Sequence, residues 1–148
     1  MGVDVVVETV IARPVAEVAA YSGDPGNAPE WYVNIRSVEW RTEPPLAIGS
    51  QLDFVAHFLG KRLAYTYEVS ELVPGERLVM RTSDGPFPMQ TTYTWTPAPE
   101  GTRMSLRNAG KPSGFGALAA PVMRRAMHVA MTKDLRRLKR LLEDRRST

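Results

Sequence analysis

The strongest constraint on this chain lies near its C-terminal end, where Ala119, Met123, Ala126, Met127, Ala130, Met131, Leu135, Leu138 and Leu142 recur at the three- and four-residue spacing of one helix face. The run predicts a helix of about 28 residues, about 42 Å long at 1.5 Å per residue. An apolar stripe of that length needs a long partner, and the preceding sequence offers strands to supply it. The expectation is an α+β fold in which a curved sheet wraps along the helix. Ser113 is the expected N-cap, with a loose first turn at Gly114 and Gly116, and Pro121 costs little if it falls inside the first turn.

Ahead of that helix the dominant period is two. Val3, Val5, Val7, Thr9 and Ile11 give a first strand with one apolar face, ending at Arg13. Pro14 opens a short helix carrying Val15, Val18, Ala19 and Ser22, and Asp24-Pro25-Gly26-Asn27 is turn chemistry. Pro29 to Tyr32 begins a second short helix before a strand over roughly residues 38–42. From Ser50 onward, Leu52, Phe54, Ala56 and Phe58 share a face, Gly60-Lys61 turns, and Leu63, Tyr65, Tyr67 and Val69 return in a hairpin. Pro74-Gly75 turns again before Leu78 and Met80. Tyr93 and Trp95 then point inward while Thr92, Thr94 and Thr96 are assigned to solvent, and Met104, Leu106 and Asn108 line the inner face of the last strand. The order is one strand, two short helices, six strands and one long helix: a seven-stranded curved antiparallel sheet around a C-terminal helix.

Across 148 residues, 43% hydrophobic and 24% charged, no linker or repeat divides the sequence, so one domain over residues 1–148 is expected. The absence of cysteine excludes a disulfide frame, a thiolate nucleophile and a cysteine-ligated metal within this chain, and fits a cytoplasmic setting. Two histidines cannot make a histidine-rich metal site. His57 and Asp53, four apart on a strand, lie about 13 Å apart along it and cannot form a dyad. His128, Glu68 and Glu71 are read as solvent-facing. There is neither a phosphate-cradling glycine loop nor a nucleophile elbow, and no cofactor is expected. The start of the chain has no basic leader and meets Glu8 within its apolar stretch, so neither a signal peptide nor stable membrane insertion is expected.

Charge is unevenly placed. Residues 124–146 hold nine Lys or Arg against three Asp or Glu, a local +6 in a chain of net +3, which leaves −3 for the remainder. A solvated helix face explains this, so no nucleic-acid partner is expected; docking of an acidic partner or membrane surface through the basic helix is the competing reading.

Arg13-Pro14 followed by Val18, Asp24-Pro25 through Pro29-Glu30-Trp31, and Leu63-Ala64-Tyr65-Thr66-Tyr67-Glu68-Val69 leading into Leu72-Val73-Pro74-Gly75-Glu76-Arg77-Leu78 carry a resemblance over nearly the whole chain. It resembles the Bet v 1-like or START-like (SRPBCC) superfamily, and more narrowly the polyketide cyclase/dehydrase and lipid-transport family. The resemblance implies a helix-grip fold closing a ligand cavity. It leaves the task open between carriage of a hydrophobic molecule and aromatase or cyclase chemistry, and it supplies no universal catalytic motif.

The inward faces nominate ligand contacts. Phe54, Phe58, Tyr65, Tyr67, Tyr93 and Trp95 present rings from the strands, opposite Met123, Met127 and Met131 on the helix. Small residues at Ala56, Ala119, Ala126 and Ala130 leave volume between them. Asn108 is a polar group on an apolar face, available to the neighbouring loop or to a ligand. Trp31, after the Asp24 to Asn27 hinge, either covers one mouth of the cavity or packs beneath the short helix as an ordinary core residue. The expected partner is a small hydrophobic or aromatic molecule, polyketide-like or lipid-like, bound reversibly. Cyclisation or dehydration of a polyketide-like substrate is the alternative, and a second copy of the chain, as a homodimer, is also admissible.

Overall fold

We describe the fold from a computed structural model of the chain, for residues 2–113 and 119–145. Strand β1 (Val3–Ile11) leads into helix α1 (Val15–Ser22), a 3-10 turn (Pro25–Asn27) and helix α2 (Ala28–Trp31). Strands β2 (Ile35–Trp40), β3 (Gln51–Phe58), β4 (Lys61–Val73), β5 (Arg77–Asp84), β6 (Met89–Ala98) and β7 (Gly101–Gly110) follow, and helix α3 (Ala120–Glu143) comes last. The seven strands form one curled sheet in the order β1-β7-β6-β5-β4-β3-β2, with every neighbouring pair antiparallel. This is the sheet around a long helix that the order of periodic segments predicts, in the helix-grip arrangement that the resemblance implies.

The turns follow their chemistry. Glu76 N–H bonds Val73 C=O at 2.9 Å across Pro74-Gly75, with Gly75 at φ 75°, a type II turn that suits proline then glycine. Between β3 and β4, Phe58 faces Lys61, so the loop is Leu59-Gly60 rather than Gly60-Lys61. Both loop residues have positive φ, 52° and 77°, as a type I′ hairpin requires. In the hinge, Asp24 Oδ1 accepts the Gly26 N–H at 2.9 Å and caps the 3-10 turn.

Helix α3 has 24 residues, about 36 Å at 1.5 Å per residue, and is shorter than its apolar stripe suggests. Ala119, in extended conformation, is its N-cap, and Pro121 sits in the first turn as anticipated. Ser113 does not cap it: its hydroxyl donates instead to Pro86 C=O. Gly114 and Gly116 lie outside the described residues. Thr92 corrects another expectation, being buried although its side chain leaves the inner face. It sits in mid-sheet, flanked in register by Val79 and Arg107 on the two neighbouring strands.

Because β1 and β2 are opposite edges of the sheet, the chain must cross between them through α1 and α2. The C-terminal half of α3 makes the dry end of the core, where Ile11, Val18, Met104, Leu106, Leu135, Leu138 and Leu142 are almost completely buried. Lys139 Nζ donates to Val10 C=O at 2.5 Å, and Glu143 accepts from Ala12 N–H at 2.8 Å, tying the helix end to β1. Part of the basic charge of α3 is therefore used internally. No described helix is long and apolar enough to cross a membrane.

Candidate functional site

Toward the other end of α3 the sheet stands away from the helix and encloses a cavity of about 140 Å³. Met123, Met127 and Met131 face it from consecutive turns of α3; Phe54, Phe58, Tyr65, Tyr67, Tyr93 and Asn108 face it from the strands. Phe54 and Tyr65 stack with centroids 5.4 Å apart and planes 2° from parallel, and Tyr67 meets both edge-on. The alternation of β3, β4, β6 and β7 and the helical spacing of α3 bring these nine sequence candidates to one space. Met80 and Met89 join them, so that five of the chain's seven methionines line the cavity and give it an adaptable wall.

Trp31 and Trp95 stand apart from that lining. Trp31 is 0% exposed, packed on Tyr32 at 4.2 Å and near Tyr93 at 5.8 Å, and its indole N–H is a buried donor without a partner among the described residues. It is a core residue beneath the crossing segment and is not among the described residues that line the cavity. A four-residue helix ends at Trp31 and turns the chain to extended backbone at Tyr32, so the next residue, Tyr32, is the one that reaches the cavity. Trp95 belongs to the dry end, where its Nε1 donates to Ser22 Oγ at 2.9 Å and fixes α1 against the sheet.

Polar groups in the cavity are organised in short chains. Tyr67 Oη and Thr91 Oγ1 are 2.8 Å apart, and Thr91 Oγ1 donates to Asn108 Oδ1 at 2.6 Å, so the Tyr67 hydroxyl is the donor to Thr91. Tyr32 and Tyr93 share a second hydrogen bond at 2.7 Å between their hydroxyls. Burial pushes the Tyr67 phenol up to about 12, against the opposing hydrogen bond with Thr91. Desolvation also raises Tyr32, Tyr65 and Tyr93, and all four are neutral donors at physiological pH.

The residue that sequence reasoning missed is Asp134. It is 3% exposed, lines the cavity, and accepts the Val33 backbone N–H on Oδ1 at 2.9 Å. Desolvation lifts its carboxyl to about 7, opposed by the Val33 hydrogen bond and by Arg137. The signal was in the spacing: Asp134 lies three residues after Met131 and four before Leu138, squarely on the apolar stripe. A carboxylate there is rare without a task or a partner. Thr91 was legible in the same way, two residues before Tyr93 on the inward parity of β6.

Several known structures share this fold. The Thermus thermophilus protein TTHA0849 superposes with a TM-score of 0.82 at 21% identity, covering 96% of this chain and 99% of that one. A START superfamily protein from Mycobacterium smegmatis gives 0.79 at 14% identity, covering 96% and 97%. The Zhui aromatase/cyclase from Streptomyces sp. R1128 gives 0.78 at 14% identity, covering 97% and 94%. At these identities the likeness speaks for the fold alone, and no curated protein matches the sequence. The family model described as polyketide cyclase / dehydrase and lipid transport matches residues 2–143, and the chain belongs to that family.

Proposed function

We propose that the chain binds a small, largely aromatic molecule reversibly in the cavity between α3 and the sheet. The observation that carries this reading is the lining itself: rings on the sheet side, thioethers on the helix side, and a few fixed polar groups among them, the composition of a small-molecule site. Its volume, about 140 Å³, is close to that of an apolar cavity that takes benzene. One substituted ring fits such a space. A long acyl chain requires the methionines of α3 to move aside, which their flexibility makes feasible but which costs contacts. Membership in a family named for lipid transport as well as for cyclisation supports a hydrophobic ligand in general. Native mass spectrometry and ligand-observed NMR against a panel of single-ring, fused-ring and acyl compounds test the proposal; binding of single-ring compounds supports it, and a folded protein that binds none of the panel overturns it.

A second reading, cyclisation or dehydration of a polyketide-like substrate, is favoured by one observation. Asp134, with a carboxyl raised to about 7, shares the cavity with four tyrosine hydroxyls, so a proton acceptor and neutral donors are present together. The Zhui aromatase/cyclase, with a similar fold, is consistent with that chemistry. Incubation with poly-β-ketone intermediates is expected to change the product distribution if this reading holds, and Asp134→Asn to suppress the change. An unaltered product distribution with bound substrate leaves the carrier reading alone.

A further inference from the structure

The cavity has a charge preference. Among the described residues that line it there is no lysine, arginine or histidine, and Asp134 is its one carboxyl group. Residues 114–118 contain no ionisable side chain either. An anionic ligand has no cation to meet there and faces a carboxyl across an apolar space. A neutral ligand leaves Asp134 with the Val33 N–H on one oxygen and further acceptor capacity unused. A protonated nitrogen fills that capacity in a cavity that Tyr32, Tyr65 and Tyr93 line together with Asp134.

We infer that the ligand selected by this cavity carries a protonatable nitrogen on a small aromatic body, with the ammonium held by the Asp134 carboxylate and the aromatic body against the ring-lined wall. The inference rests on the binding reading above and names the charge class of its ligand. It also fixes the direction of a pH dependence. Groups facing Asp134 are Tyr32 from the segment before β2, Tyr65 from β4 and Tyr93 from β6, all neutral, and Arg137 on its own helix. Asp134 is therefore the group that changes charge between pH 5 and 8. The amine needs it ionised, so amine affinity rises with pH, by up to about tenfold per unit below the carboxyl's midpoint, and flattens above it.

Three probes of one shape separate the outcomes: phenethylamine, 2-phenylethanol and phenylacetate, titrated calorimetrically at pH 8. The expected result is phenethylamine at least tenfold tighter than 2-phenylethanol, with phenylacetate weakest. In Asp134→Asn the ratio of amine to alcohol affinity falls to about one. Should that variant fold poorly, the wild type alone decides through titrations at pH 6.5 in two buffers of different ionisation enthalpy: amine binding releases protons and alcohol binding does not. Alcohol binding equal to or tighter than amine, a preference for phenylacetate, an amine preference that survives Asp134→Asn, or absent proton release each overturns the charge inference while leaving cavity binding standing. Failure of all three probes to bind folded protein overturns the binding reading and this inference with it.

Discussion

Asp134 Oδ1 accepts the backbone N–H of Val33 at 2.9 Å, fastening the middle of α3 to the segment that enters β2 directly after Tyr32. Burial raises the same carboxyl to about 7, above its ordinary 3.8. Between those limits the folded chain holds a proton that the unfolded chain has released. The stability this provides is fully present below about pH 4 and is lost as pH rises through 7, to a limit of about 4 kcal/mol. Asp134→Asn keeps the shape and the acceptor but removes the titration. Urea melts are expected to show the wild type losing about 3 kcal/mol relative to the variant between pH 5 and pH 8; parallel stability profiles count against an internal Asp134.

Thr91 is the middle of the chain from Tyr67 to Asn108. Thr91→Val leaves both ends without their partner, whereas Tyr67→Phe removes one hydroxyl and lets Thr91 keep Asn108. Chemical denaturation is expected to give a loss of about 2 kcal/mol for the first and about 1 for the second. A double-mutant cycle showing no coupling between the two sites contradicts the shared chain.

Trp31 and Leu135 are both buried completely or nearly so, at 0% and 1% exposure. Trp31→Ala is expected to cost about 3 to 5 kcal/mol and Leu135→Ala about 2 to 5, since each empties close-packed space. Titration of the folded fraction with 2-phenylethanol is expected to show little loss of affinity in either variant. A Trp31→Ala protein of normal stability that has lost its ligand restores Trp31 as a cover of the cavity.

Leu59 is half exposed and has φ 52° at the first loop position of the β3–β4 hairpin. A branched apolar residue gains little burial there and bears the steric cost of left-handed backbone. Leu59→Asn supplies the residue that a type I′ turn favours before Gly60, with an expected gain of about 0.5 to 1 kcal/mol in urea melts. A loss of stability instead means that Leu59 packs against something in solution.

The fold was legible because its two periods are clean. Phe54, Tyr65, Tyr67 and Tyr93 alternate without interruption, and the residues from Met123 to Leu142 hold one helix face, so the sheet, the long helix and most of the cavity wall could be read from spacing. What spacing does not carry is position along the interface. Trp95 and Tyr93 share a parity, yet one packs in the dry end beside Ser22 and the other faces the cavity. Trp31 and Tyr32 are neighbours, and only the backbone turn at the end of α2 decides which reaches inside. Asp134 was overlooked because a reading that collects apolar residues passes over the one acid on the stripe. Ser113 misled because its residue type suits a cap while the chain places Ala119 there.

The central claim is that the space beside Met127 is the ligand site, and a substitution that fills it tests that most directly. Met127 is buried and lines the cavity, so in Met127→Trp the indole must occupy part of the roughly 140 Å³ available. Calorimetric titration with 2-phenylethanol is expected to show binding to the wild type and at least tenfold weaker binding to the variant, with near-ultraviolet circular dichroism confirming that the variant is folded. Undiminished affinity in a folded Met127→Trp protein contradicts the account.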